Sequence, residues 1–581
     1  MVKIGPAFGD YIKFEKGQRH PSYSKNYSIR SYLLPLIIVI SCVLILGRLF
    51  FLQVVKGSSY RSLSDANRTK TITIHAPRGI IFDRDGVPLV FNVPGFREKS
   101  GDKVKLIGKD EALKLISEGK NNLEIDSLRS YPYKDDFAHV LGYIGQISKE
   151  ELARLPSPDS EATGGQEQEK FADYKGGDLI GKIGIEREYE SLLRGKDGKE
   201  LVEVDSMGRS VRKLGQSDPV PGQNITLTLD VALQKASFDA TKDIKKGAVI
   251  VSTPQGEILS LISKPSFDSN LFTMGEGYSV EDSSSYKSIS QILLDQESQP
   301  LLNRTIAGTY PPGSTFKLIT AAAGLEDKVI DRSFSVEDTG VLRLGDFSFG
   351  NWYYIQHGKT DGVVDVIKGI ARSNDIFFYK LAEKVGVNKL SQFAEKFGLG
   401  KKLGIDLEGE QEGTVPTPNW KKQVIGDSWY LGDTYHYGIG QGFLLTTPLH
   451  VNAWTQAIAN GGTIYKPHLL LNTKYSILNT KFLSKETVSL IKEGMIESCS
   501  TGGVAWPFFD FKAKGKEIKI ACKTGTAQHG GEETLPHAWI TLFAPAENPE
   551  IIVTVLAESS GEGSSIAGPI AKKILEEWFG R

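Results

Sequence analysis

The sharpest feature of the hydrophobic pattern lies near the N-terminus, where Ser31 to Gly47 (SYLLPLIIVISCVLILG) carries no charge and the apolar run resumes after Arg48 as LFFLQVV. Read through to Val55, roughly 24 residues make a helix of about 36 Å, against a hydrocarbon core of about 30 Å. Arg48 stands late enough in the run to snorkel outward. Upstream, Lys3, Lys13, Lys16, Arg19, Lys25 and Arg30 exceed the basic residues just downstream, which puts the N-terminus in the cytoplasm and exports the bulk of the chain. A cleaved signal peptide is the competing reading. It needs a small-x-small site, and GRLFFLQVVKGSSY offers only bulky residues at the boundary. The pattern therefore predicts a cytoplasmic tail over 1–30 and a single transmembrane helix over 31–55.

Beyond the anchor the period shortens. Residues 69–92 (TKTITIHAPRGIIFDRDGVPLVFN) read as an alternating strand, a Pro-Arg-Gly turn, a second strand and an Asp-Gly hairpin, with no obvious site. Residues 95–130 are polar and lysine-rich with a helical stretch near DEALKLISEG, and 156–176 read as a solvated loop. Strands ending in ITLTLD then lead to a helix from Val231, which places the main boundary near 230. Past it, 247–264 (GAVIVSTPQGEILSLISK) predicts a hairpin of two apolar strands, and helical stretches dominate to about 400. The last sixty residues alternate strand, strand and helix: KEIKIACKTGTAQ, HAWITLFAPA, EIIVTVLAES and PIAKKILEEWFG. Helices flanking a mainly antiparallel sheet give an α+β fold over 231–581, preceded by a β-rich unit over 56–230. No fixed-period repeat is visible.

Composition narrows the classes. At 581 residues, two or three folded units are expected, and 40% hydrophobic with 24% charged residues excludes a mainly disordered or fibrous chain. A net charge of −1 gives no electrostatic case for nucleic acid. Cys42 lies in the apolar run, while Cys499 and Cys522 form no CxxC pair, so neither a disulfide scaffold nor a structural zinc site is expected. Cys522 reads as a buried small apolar residue, with a disulfide to Cys499 left open.

Three short constellations carry chemistry. Ser314-Thr315-Phe316-Lys317 follows Tyr310-Pro311-Pro312-Gly313 and opens the helical run LITAAAGLE, so a spacing of three puts amine and hydroxyl on one face. A serine needs such a base to become a nucleophile. Taken alone the signal is weak, since S-x-x-K also begins at Ser22, Ser100, Ser117, Ser210, Ser284 and Ser489. Ser373-Asn374-Asp375 opens the apolar helix IFFYKLAEKVG, where the plain reading is an N-cap. Lys523-Thr524-Gly525-Thr526 ends the strand IKIAC, offering a cation, hydroxyls and a glycine that lets a substrate backbone approach.

The ordered set Ser-x-x-Lys, Ser-x-Asp and Lys-Thr-Gly is that of penicillin-binding proteins and serine β-lactamases. Over nearly its whole length the chain resembles the class B penicillin-binding proteins, in stretches such as RLFFLQVVKG, APRGIIFDRDGVPL, GKIGIEREYESLLRGKDG, NRTIAGTYPPGSTFK, YGIGQGFLLTTPLH and HAWITLFAP. Asp375, in RSNDIFFY, looks like the elongation branch, penicillin-binding protein 2, where the division branch usually has asparagine. The resemblance implies a pedestal, or dimerisation-like, domain over 56–230 and a transpeptidase domain over 231–581. The stretch between Asn92 and Tyr131 is much shorter than the head region of many relatives, so partner contacts of that region are not carried over.

Residues and resemblance together imply a peptidoglycan D,D-transpeptidase acylated at Ser314, acting on stem pentapeptides and inhibited by β-lactams. Neutral Lys317 takes the Ser314 proton, and Lys523 is the nearby cation that favours that neutral form. Ser373 relays a proton to the leaving nitrogen, and Asp375 holds Lys317 or the substrate amide. Amides of Ser314 and Thr526 form the oxyanion hole, and the Thr524 and Thr526 hydroxyls, beside Gly525, bind the substrate carboxylate. Gly440-Gln441-Gly442 and Thr446-Thr447-Pro448 are read as cleft walls, with a turn and a helix start as the plain alternative. His537 and Trp539 are read as packing and lining groups. Some elongation-type relatives hold zinc beneath the site through a cysteine. Residues 318–376 contain His357 and no cysteine, so no metal and no cofactor are expected. Resemblance adds partners in the elongation machinery, including a SEDS-family glycan polymerase docking on anchor and pedestal. The alternatives are a septal transpeptidase of the same class, a β-lactamase, a β-lactam sensor and a catalytically dead scaffold.

Overall fold

The computed structural model describes residues 30–100, 103–119, 123–154, 174–205, 209–275, 277–531 and 534–581. The predicted tail, apart from Arg30, and the predicted loop over 156–176, apart from its last three residues, lie outside these. The chain divides into two compact units, one made of residues up to Thr73 with Lys199–Ser217, the other of Ile74–Gly198 with Asp218–Arg581.

In the first unit the apolar run is a helix, Arg30–Phe50, continued by a π-helical turn, Phe51–Val55. Leu33–Val55 is long and apolar enough to cross a membrane, and none of it is buried against protein. Leu34, Leu44 and Leu46 are each at least 64% exposed, a state that water penalises and lipid does not. A helix Gly57–Arg68 follows, then the strand Thr69–Ile74, in a three-stranded sheet with Gly198–Val204 and Ser210–Ser217.

In the second unit the polar, lysine-rich text before Tyr131 is mostly strand. Pro88–Ser100 pairs with Lys103–Gly108 on one side and Leu123–Ser130 on the other, with the expected helix, Lys109–Ser117, between them in sequence. The Pro-Arg-Gly turn carries a buried ion cluster. Arg78 Nη2 lies 2.8 Å from both Glu186 Oε2 and Glu190 Oε2, and Arg129 Nε donates to Glu186 Oε1 at 2.6 Å. Removing one member would leave an unpaired buried charge.

The larger part is built on a five-stranded antiparallel sheet of β1 (Gly247–Ser252), β2 (Ile258–Lys264), β3 (Ala521–Ala527), β4 (His537–Ala544) and β5 (Ile551–Ala557), in the order β2-β1-β5-β4-β3. β1, β4 and β5 are buried along their whole length, because helices cover both faces. Val249, Val251, Ile540 and Val553 pack with α1 (Val231–Ala240) and the C-terminal helix on one side. Ala248, Ile250, Trp539 and Leu556 face the opposite core, which contains α2 (Lys317–Glu326), α3 (Asp375–Val385) and α4 (Pro448–Ala459). The C-terminal helix is α5, Gly568–Gly580. β3 is the edge strand. Behind it Cys522 is joined by a disulfide to Cys499, the C-cap of the helix Lys485–Ser498, with a Cα–Cα distance of 5.9 Å. This settles the pairing left open by the sequence and ties a helix end to the strand that carries Lys523.

Candidate active site

Gly313–Phe316 forms a 3₁₀ turn that runs directly into α2, so Ser314 sits on the tighter turn and the α-helix proper begins at Lys317. Two glycines set that turn. The Gly313 amide donates to the Gly440 carbonyl at 2.9 Å. Gly440 has φ +76°, and a Cβ there would stand 2.1 Å from Gly313 O. A Cβ on Gly525 would lie 3.1 Å from both Pro312 O and Thr315 Cγ2. The glycine of Lys-Thr-Gly, expected to admit a substrate backbone, thus also lets β3 close against the serine turn.

The side chain of Lys317 is fully buried. Its Nζ donates to Asp375 Oδ1 at 2.7 Å, to Ser373 O at 2.7 Å and lies 3.3 Å from Ser373 Oγ. None of the hydrogen bonds among the described residues joins Ser314 Oγ to Lys317 Nζ. The amine turns instead toward the start of α3, where a carboxylate competes for it. Lys523 Nζ donates to Ser373 Oγ at 2.9 Å and to Thr524 O at 2.9 Å. Two buried amines therefore meet on one serine hydroxyl. Ser373 is held there with φ +54°, a left-handed conformation that costs a non-glycine residue energy. Asn374 is the N-cap of α3, accepting from the Phe377 amide at 2.9 Å. The plain N-cap reading holds at Asn374, which leaves the Ser373 hydroxyl to meet the two amines.

Burial pushes the Lys317 pKa down while Asp375 pushes it up, with a net fall. Burial pushes Lys523 well below its ordinary range, helped by the Lys317 ammonium and opposed by Asp375. With two amines this close, protons are shared by the pair rather than owned by either. Lys317 has the carboxylate and keeps its charge more readily. Lys523, with no carboxylate in hydrogen-bond reach, is the more easily neutralised.

Ser314, Ser373, Asp375, Thr524, Gly525 and Thr526 line one groove of about 680 Å³. Lys317 and Lys523 lie beneath it. One wall was not legible in the sequence: the hairpin Val341–Leu344 and Phe347–Gly350, with the helix Trp352–His357, contributes Phe347, Trp352 and Ile355. Of the two stretches read as walls, Gln441 and Gly442 line the groove, but Thr446 and Thr447 are buried outside it. Thr447 caps α4, accepting from the His450 amide, so the helix-start alternative is the correct one there. Trp539 Nε1 donates to Pro311 O at 3.1 Å, and His537 stacks on His529 at 3.8 Å and accepts from the Ser559 amide, as packing groups do.

Zinc does not fit beneath the groove. The Asp338 carboxylate there already accepts four hydrogen bonds, the neighbouring Asp361 is paired with Arg372 at 3.0 Å, and among the described residues no three His, Cys, Asp or Glu side chains converge.

Residues 246–576 match the family described as penicillin binding protein transpeptidase domain, and 109–227 that described as penicillin-binding protein dimerisation domain. A peptidoglycan D,D-transpeptidase MrdA of Acinetobacter baumannii is 33% identical, with 93% of this chain and 86% of that one covered. Among solved structures, the complex between penicillin-binding protein 2 and MreC from Helicobacter pylori aligns with a TM-score of 0.72 and 28% identity over 88% of this chain and 98% of that one. A structure titled for the coordination of polymerization and crosslinking by a peptidoglycan synthase complex aligns at 0.70, with 26% identity over 95% and 98%.

Proposed function

Because this chain belongs to the penicillin-binding protein transpeptidase family, we propose that the groove above Lys317 and Lys523 is the acylation site of an elongation-type peptidoglycan D,D-transpeptidase with Ser314 as nucleophile. The observation that carries the reading is the Ser373 hydroxyl held between two buried amines, 3.3 Å from one and 2.9 Å from the other, under a groove that Ser314 lines.

The substrate is the D-Ala-D-Ala end of a stem pentapeptide. Its terminal carboxylate binds the Thr524 and Thr526 hydroxyls above Lys523 and raises the Lys523 pKa, so that the protons of the pair redistribute and Lys317 becomes the neutral amine. Ser314 Oγ bonds to the penultimate carbonyl carbon as its proton passes to Lys317. The Ser314 and Thr526 amides face the developing oxyanion. The C–N bond then breaks, with the proton delivered through Ser373 to the departing terminal D-alanine. The amine of a neighbouring stem peptide attacks the ester, forms the cross-link and returns the proton to Ser314. β-Lactams imitate the donor and remain as the ester. No cofactor enters any step.

The protein is membrane-anchored, and its partners lie in the elongation machinery. The finer reading has the tail over 1–30 in the cytoplasm, the helix over 31–55 crossing once, a pedestal over 56–230 and the transpeptidase over 231–581 outside the cytoplasmic membrane, with a SEDS-family polymerase as partner. Of the alternatives, septal action is disfavoured by the likeness to MrdA and to penicillin-binding protein 2. A dead scaffold is disfavoured by the intact Ser314, Lys317, Ser373 and Lys523. Fluorescent penicillin followed by peptide mapping tests the assignment. The label should map to the peptide bearing Ser314 and vanish in Ser314→Ala, and labelling that survives that substitution would refute it.

A further inference from the structure

Behind the groove a buried hydrogen-bond network ends on Asp375. Asp338 Oδ2 accepts from Asn351 Nδ2 at 2.8 Å, Asn374 Nδ2 at 2.8 Å and the Asp361 amide at 2.9 Å, while Oδ1 accepts from the Gly340 amide at 2.8 Å. Asp361 accepts from Arg372 Nε at 3.0 Å and from Asn374 Nδ2 at 3.0 Å. Asn351, fully buried, donates to Asp338 on one side and on the other accepts the Asp375 amide at 3.1 Å. The next residue, Trp352, donates its amide to Asp375 Oδ2 at 2.9 Å, and its indole is fixed by the Arg372 carbonyl at 3.0 Å.

We propose that Asn351 is a positioning residue for acylation: by bridging the Asp338 carboxylate and the Asp375 backbone it seats the Trp352 amide on Asp375 Oδ2 and so aims Oδ1 at Lys317. This rests on Ser314 being the acylated residue. A carboxylate has a broad, two-fold side-chain torsion, so an unpinned Asp375 would swing between Lys317 and the open groove. Pinning one oxygen from behind leaves the other a single direction. Neither Asn351 nor Asp338 lines the groove, and the Asn351 side chain meets the site at the Asp375 amide.

The consequence has a sign. The rate rises with pH as the coupled Lys317–Lys523 pair loses a proton, and the ion pair with Asp375 delays that loss. The other groups that bear on this pair are Lys523 across Ser373, the Tyr379 phenol, the Phe378 ring 5.5 Å from Lys317 Nζ, His436 on the groove wall, and Asp338, Asp361 and Arg372 behind. All of them stay when Asn351 is changed. In Asn351→Ala the weakened ion pair should move the ascending limb of acylation to lower pH, while the misaimed amine lowers the plateau by about 100-fold.

The experiment is the second-order rate of fluorescent-penicillin acylation of the full chain in detergent, from about pH 5 to 10, with a melting temperature beside each profile. Asn351→Asp adds a second signature: it can donate to Asp338 only while protonated, so its rate should fall over the range where wild type rises. If Asn351→Ala does not fold, Asn351→Ser, too short to reach both partners, carries the same readout. A limb shifted toward acid with a lowered plateau supports the proposal. An undiminished rate, or a lowered rate with an unmoved limb, overturns it. Wild type that never labels would overturn the acylation reading as well, whereas labelled wild type with an unmoved limb overturns the positioning role alone.

Discussion

Ser373 and Asn374 show how neighbouring residues can divide two roles that the sequence presents as rivals. Asn374 caps α3, which leaves Ser373 outside the helix in a left-handed conformation with its hydroxyl between the amines of Lys317 and Lys523. The residues proposed to react, a hydroxyl, two amines and a carboxylate, were named from the sequence because few residue types offer that chemistry. Asn351 was not legible, because its role exists only through Asp338, Asp361, Asn374 and Asp375, which the chain separates by 10 to 24 residues. Residue chemistry also predicts a pH effect away from the groove. His139 is buried, its Nε2 lies 2.7 Å from Pro300 O, and burial, aided by Arg304, pushes its pKa down to about 4. In the unfolded chain it would titrate near about 6.5, so the unfolded state binds more protons between those values. The stability owed to neutral His139 is complete above about pH 6.5 and falls by about 2 kcal/mol between pH 7 and 5. His139→Gln should flatten that part of the dependence of melting temperature on pH, and an unchanged slope would refute the assignment.

Among elements, β3 bears the most constraint for its length. It is the sheet edge, it closes against the serine turn through Gly525, and Cys522 ties it to the helix Lys485–Ser498. Closing a loop of this size contributes about 3 kcal/mol in the chain-entropy model. The doubly substituted Cys499→Ala/Cys522→Ala chain should melt several degrees below wild type under oxidising conditions, and coincident melting curves would sink the idea. Elements with a strong period were foreseen: the β1–β2 hairpin, α1, and the strands and helix of the last sixty residues. The hairpin Val341–Leu344 and Phe347–Gly350 was not. Among the described residues it pairs only with itself, and Phe347 stands 73% exposed on the groove wall, so it carries little of the buried alternation that marks a strand in text. The strands before Tyr131 were not foreseen, because their polar text shows no sustained period-two alternation.

For the molecule as a whole, the anchor separates two predictions about place. With Leu33–Val55 apolar and unburied, the full chain should stay in the membrane pellet after an alkaline wash. If the tail is cytoplasmic, protease added to intact spheroplasts should shorten the chain to a fragment that keeps the N-terminus, and complete protection would reverse the orientation. The sequence by itself determined the membrane helix, the α+β class and the residue types available to the proposed reaction, because each is set by local composition, by period or by chemistry that admits few residue types. Only the tertiary structure decided which amine is paired with a carboxylate, that both amines meet the Ser373 hydroxyl, that Cys499 meets Cys522, and that the Trp352 amide bonds Asp375. Those are contacts between segments far apart in the chain, fixed by packing, and a one-dimensional pattern holds no record of the distances on which burial and charge depend.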